Sequence, residues 1–134
     1  MYYKAMSEKS SVALESEGNK EKIAFVVHEK SVAHEDHPER NEDALLSDME
    51  NGIFGIFDGM GGGGPEGSGK VASELAKSFA LQELKKIPNN SSIEEAREAI
   101  KRIIVETNDV ILTEGRDSAK SGMGTTASII KIIS

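Results

Sequence analysis

The chain has 134 residues, which suits one modest domain. It is 37% hydrophobic and 29% charged, ordinary for a soluble globular protein, and 23 acidic against 16 basic residues give a net charge of -7. That acidity, with 4% aromatic residues and no Trp, argues against nucleic acid and against an anionic membrane as partners, because both rely on clustered cations. The lack of Cys excludes disulfides, thiolate metal sites and a Cys nucleophile. No apolar run approaches the roughly 18 residues of a membrane span. The N-terminal stretch MYYKAMSEKSS lacks the apolar core of a secretory signal, so a cytoplasmic location is expected.

Residues 1–20 are polar and aperiodic and read as a disordered tail, followed by a domain over residues 21–134. Residues 23–27 (IAFVV) form a short β-branched and aromatic run, expected to be a buried strand. Residues 28–41 carry all three His, several acids and Pro38, and read as a loop. A second apolar run, Ala44-Leu45-Leu46, precedes the turn signal at residues 48–52 (DMENG), and residues 53–57 (IFGIF) give the third predicted strand. Glycines then crowd residues 59–69. Beyond them Val71, Ala72, Leu75, Ala76, Phe79 and Leu84 recur at helical spacing, and Lys85-Lys86 followed by Pro88 gives the stop. Ser92 and Glu95 form a capping box opening a second helix. Its apolar side carries Ile93, Ala96, Ile100, Ile103, Ile104, Thr107 and Ile111, and Gly115 is expected to end it. Leu75, Phe79, Ile100 and Ile104 are expected in the core. Residues 125–133 (TTASIIKII) read as a last strand.

Three strands, two helices and a strand predict an α+β fold, an antiparallel or mixed sheet covered by helices. So apolar a final strand needs sheet neighbours and a covered face. The expectation is therefore an incomplete domain, with an uncovered sheet edge through which self-association could occur.

A hairpin centred on residues 48–52 pairs residues whose numbers sum to about 100. Ser47 would then face Ile53, Asp43 would face Phe57, and Glu42 would face Asp58. These three acids gather at one end of one hairpin, where mutual repulsion favours protonation or a bound cation. Oxygen ligands alone select hard ions such as Mg²⁺, Mn²⁺ or Ca²⁺. Asp58 directly follows an apolar strand that fixes its position, and Gly59 permits close backbone approach, so its carbonyl could join the coordination. The plainer reading leaves the three acids as solvated strand ends.

Four segments in order resemble the metal-dependent, type 2C protein Ser/Thr phosphatases: Asn41-Glu42-Asp43, residues 54–62 (FGIFDGMGG), residues 67–73 (GSGKVAS) and residues 124–127 (GTTA). The Asp-Gly-Met-Gly-Gly form resembles the bacterial members. The resemblance implies an α-β-β-α sandwich with a two-metal site binding Mn²⁺ or Mg²⁺. It implies that Asp58 bridges the metals, that the Gly59 carbonyl is a ligand, and that Glu42 and Asp43 act in the metal shell directly or through water. It implies that Arg40, closer to the Glu-Asp pair than is usual, binds substrate phosphate, and that the partner is a phosphoprotein hydrolysed in line by an activated water. It further implies that the chain is the N-terminal part of the domain, with later Asp ligands beyond it, so turnover by this chain alone is not expected.

Two other function classes share these residues. One is a catalytically inactive phosphatase-like module that binds phosphoproteins or a regulator. The other is a P-loop nucleotide-binding protein, since residues 64–70 (GPEGSGK) match most of that motif with Lys70 at the phosphate-binding position, though Val71 stands where Ser or Thr would hold Mg²⁺. His34 and His37 are spaced i, i+3 beside Pro38, which suits a solvated loop rather than a helical zinc site.

Overall fold

The computed structural model describes residues 26–33, 35–36, 38–62 and 64–134. The predicted tail, most of the 23–27 run, and His34 and His37 lie outside the described residues. Val26 and Val27 are described and are not in a strand, so that part of the predicted first strand is absent. A β-branched run becomes a strand only where it finds a ladder and a face to pack on, because β-propensity mainly measures such packing.

The hairpin forms from β1 (Asp43–Asp48) and β2 (Ile53–Met60), paired antiparallel. Its register departs by one residue from the expected pairing: Asp43 faces Asp58, Ser47 faces Phe54, and Asp48 faces Ile53. The turn explains the slip. Residues 49–52 form a loop closed by the Gly52 N–H donating to the Met49 carbonyl at 3.3 Å, with Gly52 in the left-handed region at φ 60°. The Asp48 carboxylate accepts the Asn51 backbone N–H at 3.1 Å and its side-chain amide at 2.9 Å, fixing Asp48 as the last ladder residue. It also pairs with Lys85 at 3.0 Å while only 15% exposed. Burial alone would raise its carboxyl pKa, but the hydrogen bonds from Asn51 and Lys85 outweigh that and hold it below the usual carboxylate range.

The other edge of β2 carries β3 (Gly124–Thr125) and β4 (Ser128–Lys131), both antiparallel. The predicted last strand is thus two short ladders with a break at Thr126 and Ala127. Alternation along β2 separates its faces: Ile53, Gly55, Phe57 and Gly59 are buried toward the helices, whereas Ile56, Asp58 and Met60 are exposed on the far face.

Helix α1 (Ser68–Leu84) packs against β1 and β2. Its buried stripe of Gly69, Ala72, Ser73, Ala76, Ala80 and Leu84 is small for most of its length, so the helix can lie close over Phe57 and Ile53. Helix α2 (Ile93–Asp117) packs on α1. The predicted capping box is present: Glu95 N–H donates to Ser92 Oγ at 3.2 Å, and the Ser92 backbone N–H donates back to Glu95 at 2.9 Å. Ser92's backbone and then its hydroxyl hold the Glu95 carboxyl below its ordinary range.

Two helix expectations are corrected. Gly115 does not end α2; it lies inside, where its missing Cβ leaves room for the Lys120 carbonyl, and the helix runs on to Asp117. Ile93 and Ile104 are exposed, because α2 is buried only along Ala96, Ile103, Thr107, Ile111 and Gly115. Leu75 and Ile100, expected in the core, are half-buried and pack against it, and Phe79 is half-buried. The fold is α+β: an antiparallel sheet with two helices on one face, within one compact unit over Ser31–Ser134.

Candidate functional site

The shifted register decides which acids meet. Gly59 N–H donates to the Glu42 carbonyl at 3.3 Å, so Glu42 and Gly59 form a hydrogen-bonded pair beyond the end of β1. The next pair, Asp43 with Asp58, is then a non-hydrogen-bonded one, the kind whose side chains lie closest, with Cα atoms about 4.5 Å apart. The backbone bonds of both residues agree, since each points away from the other. Asp43 N–H donates to Asn41 Oδ1 at 2.9 Å, and the Asp43 carbonyl accepts Lys70 Nζ at 2.7 Å. On the other strand Asp58 N–H and C=O both turn toward Thr125 and Thr126. The two carboxylates therefore share the sheet face opposite the helices.

Asp43 is held further by a short polar chain. Asn41 Nδ2 donates to Ser31 Oγ at 2.7 Å, and Ser31 Oγ donates to Asp43 Oδ2 at 3.0 Å. Asn41 thus touches both the main chain of Asp43 and, through Ser31, its carboxylate.

Glu42 behaves differently. Successive strand residues point to opposite faces, and its carboxylate turns to the helix side. A Cβ on Gly69 would sit 2.7 Å from Glu42 Oε2 and 2.9 Å from the Gly59 carbonyl carbon, and a Cβ on Gly59 would sit 2.1 Å from the Gly69 carbonyl oxygen. Both positions need glycine so that the first turn of α1 can rest on the Asp58-Gly59 corner. Gly67, the residue capping α1, makes no side-chain cap bond, so the Glu42 carboxylate supplies negative charge beside an otherwise uncapped helix N-terminus. The expected convergence of three acids is thereby corrected to a facing pair: among the described residues no three His, Asp or Glu side chains form a metal-holding group.

The pair still fits a hard divalent cation by its chemistry. Its donors are carboxylate oxygens on one open face, and Mg²⁺-like ions are commonly bound by one or two carboxylates while keeping several waters. The Asp58 side of the pair stands on a strand end fixed on both edges.

Arg40, read as a phosphate ligand, is an exposed side chain whose guanidinium lies 3.8 Å from Glu66 in the glycine-rich loop, a surface contact worth little in stability. Lys70 is engaged by the Asp43 carbonyl and by Glu74 at 3.0 Å, and Glu42 lies against the helix end that a P-loop would present to phosphate. That geometry gives the nucleotide-binding reading no support. Sequence reasoning assigned no role to Ser31, Thr125 and Thr126, three of the side chains that touch the two aspartates; Thr125 and Thr126 lie within the GTTA segment, whereas nothing local to Ser31 signalled contact with a residue twelve positions on. No helix among the described residues is long and apolar enough to cross a membrane.

No protein-family model matches the chain, and no curated protein matches it. Among solved structures it is similar to one titled "PppA, a key regulatory component of T6SS in Pseudomonas aeruginosa", with 26% identity and a TM-score of 0.56. The match covers 72% of this chain and 39% of that one, so the chain spans about two fifths of that protein's length. Over most of its residues the chain shares its α+β fold with a protein described as a regulatory component.

Proposed function

We propose that the chain is the N-terminal portion of a type 2C-like protein Ser/Thr phosphatase domain. The observation that carries this is the Asp43–Asp58 pair, facing across adjacent strands on one open side of the sheet. Similarity to a longer chain of like fold supports the reading of a portion. Asp58, Asp43 and the Gly59 carbonyl would hold Mn²⁺ or Mg²⁺ in this proposal. When bound, such ions supply an activated water and neutralise phosphate charge in phosphoester hydrolysis. Glu42 supports the site from the helix side, its carbonyl on Gly59 N–H and its carboxylate against Gly69. Arg40, exposed at the rim, would meet a phosphoprotein substrate.

A second reading is a catalytically inactive phosphatase-like module that binds phosphoproteins or a regulator. It is favoured by the presence of two converging carboxylates rather than three among the described residues, and by the regulatory description of the similar protein. Release of phosphate from a phosphopeptide by the full chain separates the two. Mn²⁺-dependent release that disappears in Asp58→Ala supports the enzyme. Asp58-dependent Mn²⁺ binding without release supports the module, and no Asp58-dependent response of either kind removes the metal reading.

A further inference from the structure

The two short strands beyond β2 keep one register. Gly59 faces Thr125 and Ile56 faces Ser128, so Thr126 lies level with Asp58 in the gap between the ladders. An ordinary hydrogen-bonded pair there would exchange two backbone bonds. One is made: Thr126 N–H donates to the Asp58 carbonyl at 2.9 Å. For the other, a side chain takes the place of the carbonyl: Asp58 N–H donates to Thr126 Oγ1 at 3.1 Å. The Thr125 hydroxyl lies 2.9 Å from the Asp58 carbonyl and 2.9 Å from the Thr126 carbonyl, with one proton to place between them. Side-chain hydroxyls thus hold the peptide groups on both sides of the Asp58 Cα, and so set the direction of its Cα–Cβ bond. The Asp58 side chain itself is exposed, so burial does not fix its direction.

We propose that Thr125 and Thr126 are positioning residues, a hydroxyl clamp on the Asp58 main chain that aims its carboxylate across the sheet face toward a divalent cation shared with Asp43. This rests on the metal-binding reading above. It explains why the ladder breaks at this point: continuing it would give the Asp58 N–H to a carbonyl and leave the Thr126 hydroxyl out of the contact. The clamp has the logic of outer groups that orient a metal's own ligands, whose loss commonly costs 10- to 100-fold in affinity.

The test is Mn²⁺ titration of the full chain by calorimetry, with urea unfolding of each variant alongside. Thr126→Val keeps the branched shape and strand preference but removes the hydroxyl. It is expected to weaken Mn²⁺ binding about tenfold at an unfolding midpoint close to that of the unaltered chain. Thr126→Ser, which restores the hydroxyl, is expected to restore the affinity. Thr125→Val removes the hydroxyl acting on the Asp58 carbonyl and is expected to weaken binding in the same direction, which keeps the proposal open to test should Thr126→Val fail to fold. Unchanged affinity in the folded Val variants, with binding still lost in Asp58→Ala, overturns the clamp and leaves the metal reading intact. Absence of Asp58-dependent binding in the unaltered chain overturns both.

Discussion

Two aspartates facing each other in a non-hydrogen-bonded pair should make the metal-free protein less stable than a variant lacking one of them. Opposed like charges in such a pair cost about 0.2–1 kcal/mol. Coulomb's law gives the same scale: about 1 kcal/mol at 4 Å in water, the limit that suits an exposed Asp58, and less as added salt screens the pair. Asp58→Asn keeps the shape and removes one charge. In chelator at low salt it is expected to gain up to about 1 kcal/mol, which for a unit of this size raises the melting temperature by about 4 °C. Saturating Mn²⁺ should reverse the order. A ligand at 100 times its dissociation constant stabilises the folded state by about 2.7 kcal/mol, and only the unaltered chain should receive that gain. Thermal unfolding followed by circular dichroism, with chelator and with Mn²⁺, reads both halves. A loss of stability for Asp58→Asn in chelator, or equal Mn²⁺ responses for the two proteins, would refute the reasoning, because the carboxylates would then be neither repelling nor sharing an ion.

Further expectations concern the scaffold. Ala at Gly59 or Gly69 would place a methyl on the backbone or carboxylate of the Glu42–Gly59–Gly69 contact, so each is expected to cost about 1–3 kcal/mol in urea unfolding, with Gly59→Ala the worse because it strikes backbone at 2.1 Å. Asp48→Asn should destabilise by about 0.5–1 kcal/mol at pH 7 by losing the charge paired with the half-exposed Lys85. Because the folded-state pKa of Asp48 is depressed, its contribution is present above the unfolded carboxylate pKa and disappears as pH falls through the folded value. The gap between variant and unaltered chain should therefore close in strong acid, and a pH-independent gap would contradict the assignment. On the face opposite the helices Ile56 is 56% and Ile130 61% exposed. Replacing both by Lys should reduce concentration-dependent light scattering, and unchanged scattering would show that this face does not drive association.

Much of this was legible in local patterns. The α2 N-terminus was fixed by Ser92 and Glu95, whose capping bonds need only a few neighbouring residues, and α1 by apolar spacing bracketed by glycines and Pro88. Hairpin existence followed from two apolar runs around an Asn-Gly turn, and the gathering of acids at its open end followed from counting. What tertiary structure decided was which way each acid faces. The turn added half a residue to the centre of pairing, and since strand side chains alternate, that slip put Asp43 opposite Asp58 and sent the Glu42 carboxylate to the helix. Residues 125–133 read as one strand because propensity cannot register a side-chain hydroxyl displacing a ladder bond 68 positions away. Periodicity marked Ile104 as apolar but not as covered, since coverage depends on the angle at which α2 meets α1. The sequence alone determined the hairpin, the two helices and the residue types at their ends; only the packed sheet determined the pairing of those ends and which apolar runs became strands, because register and burial are properties of contacts between segments and not of any one of them.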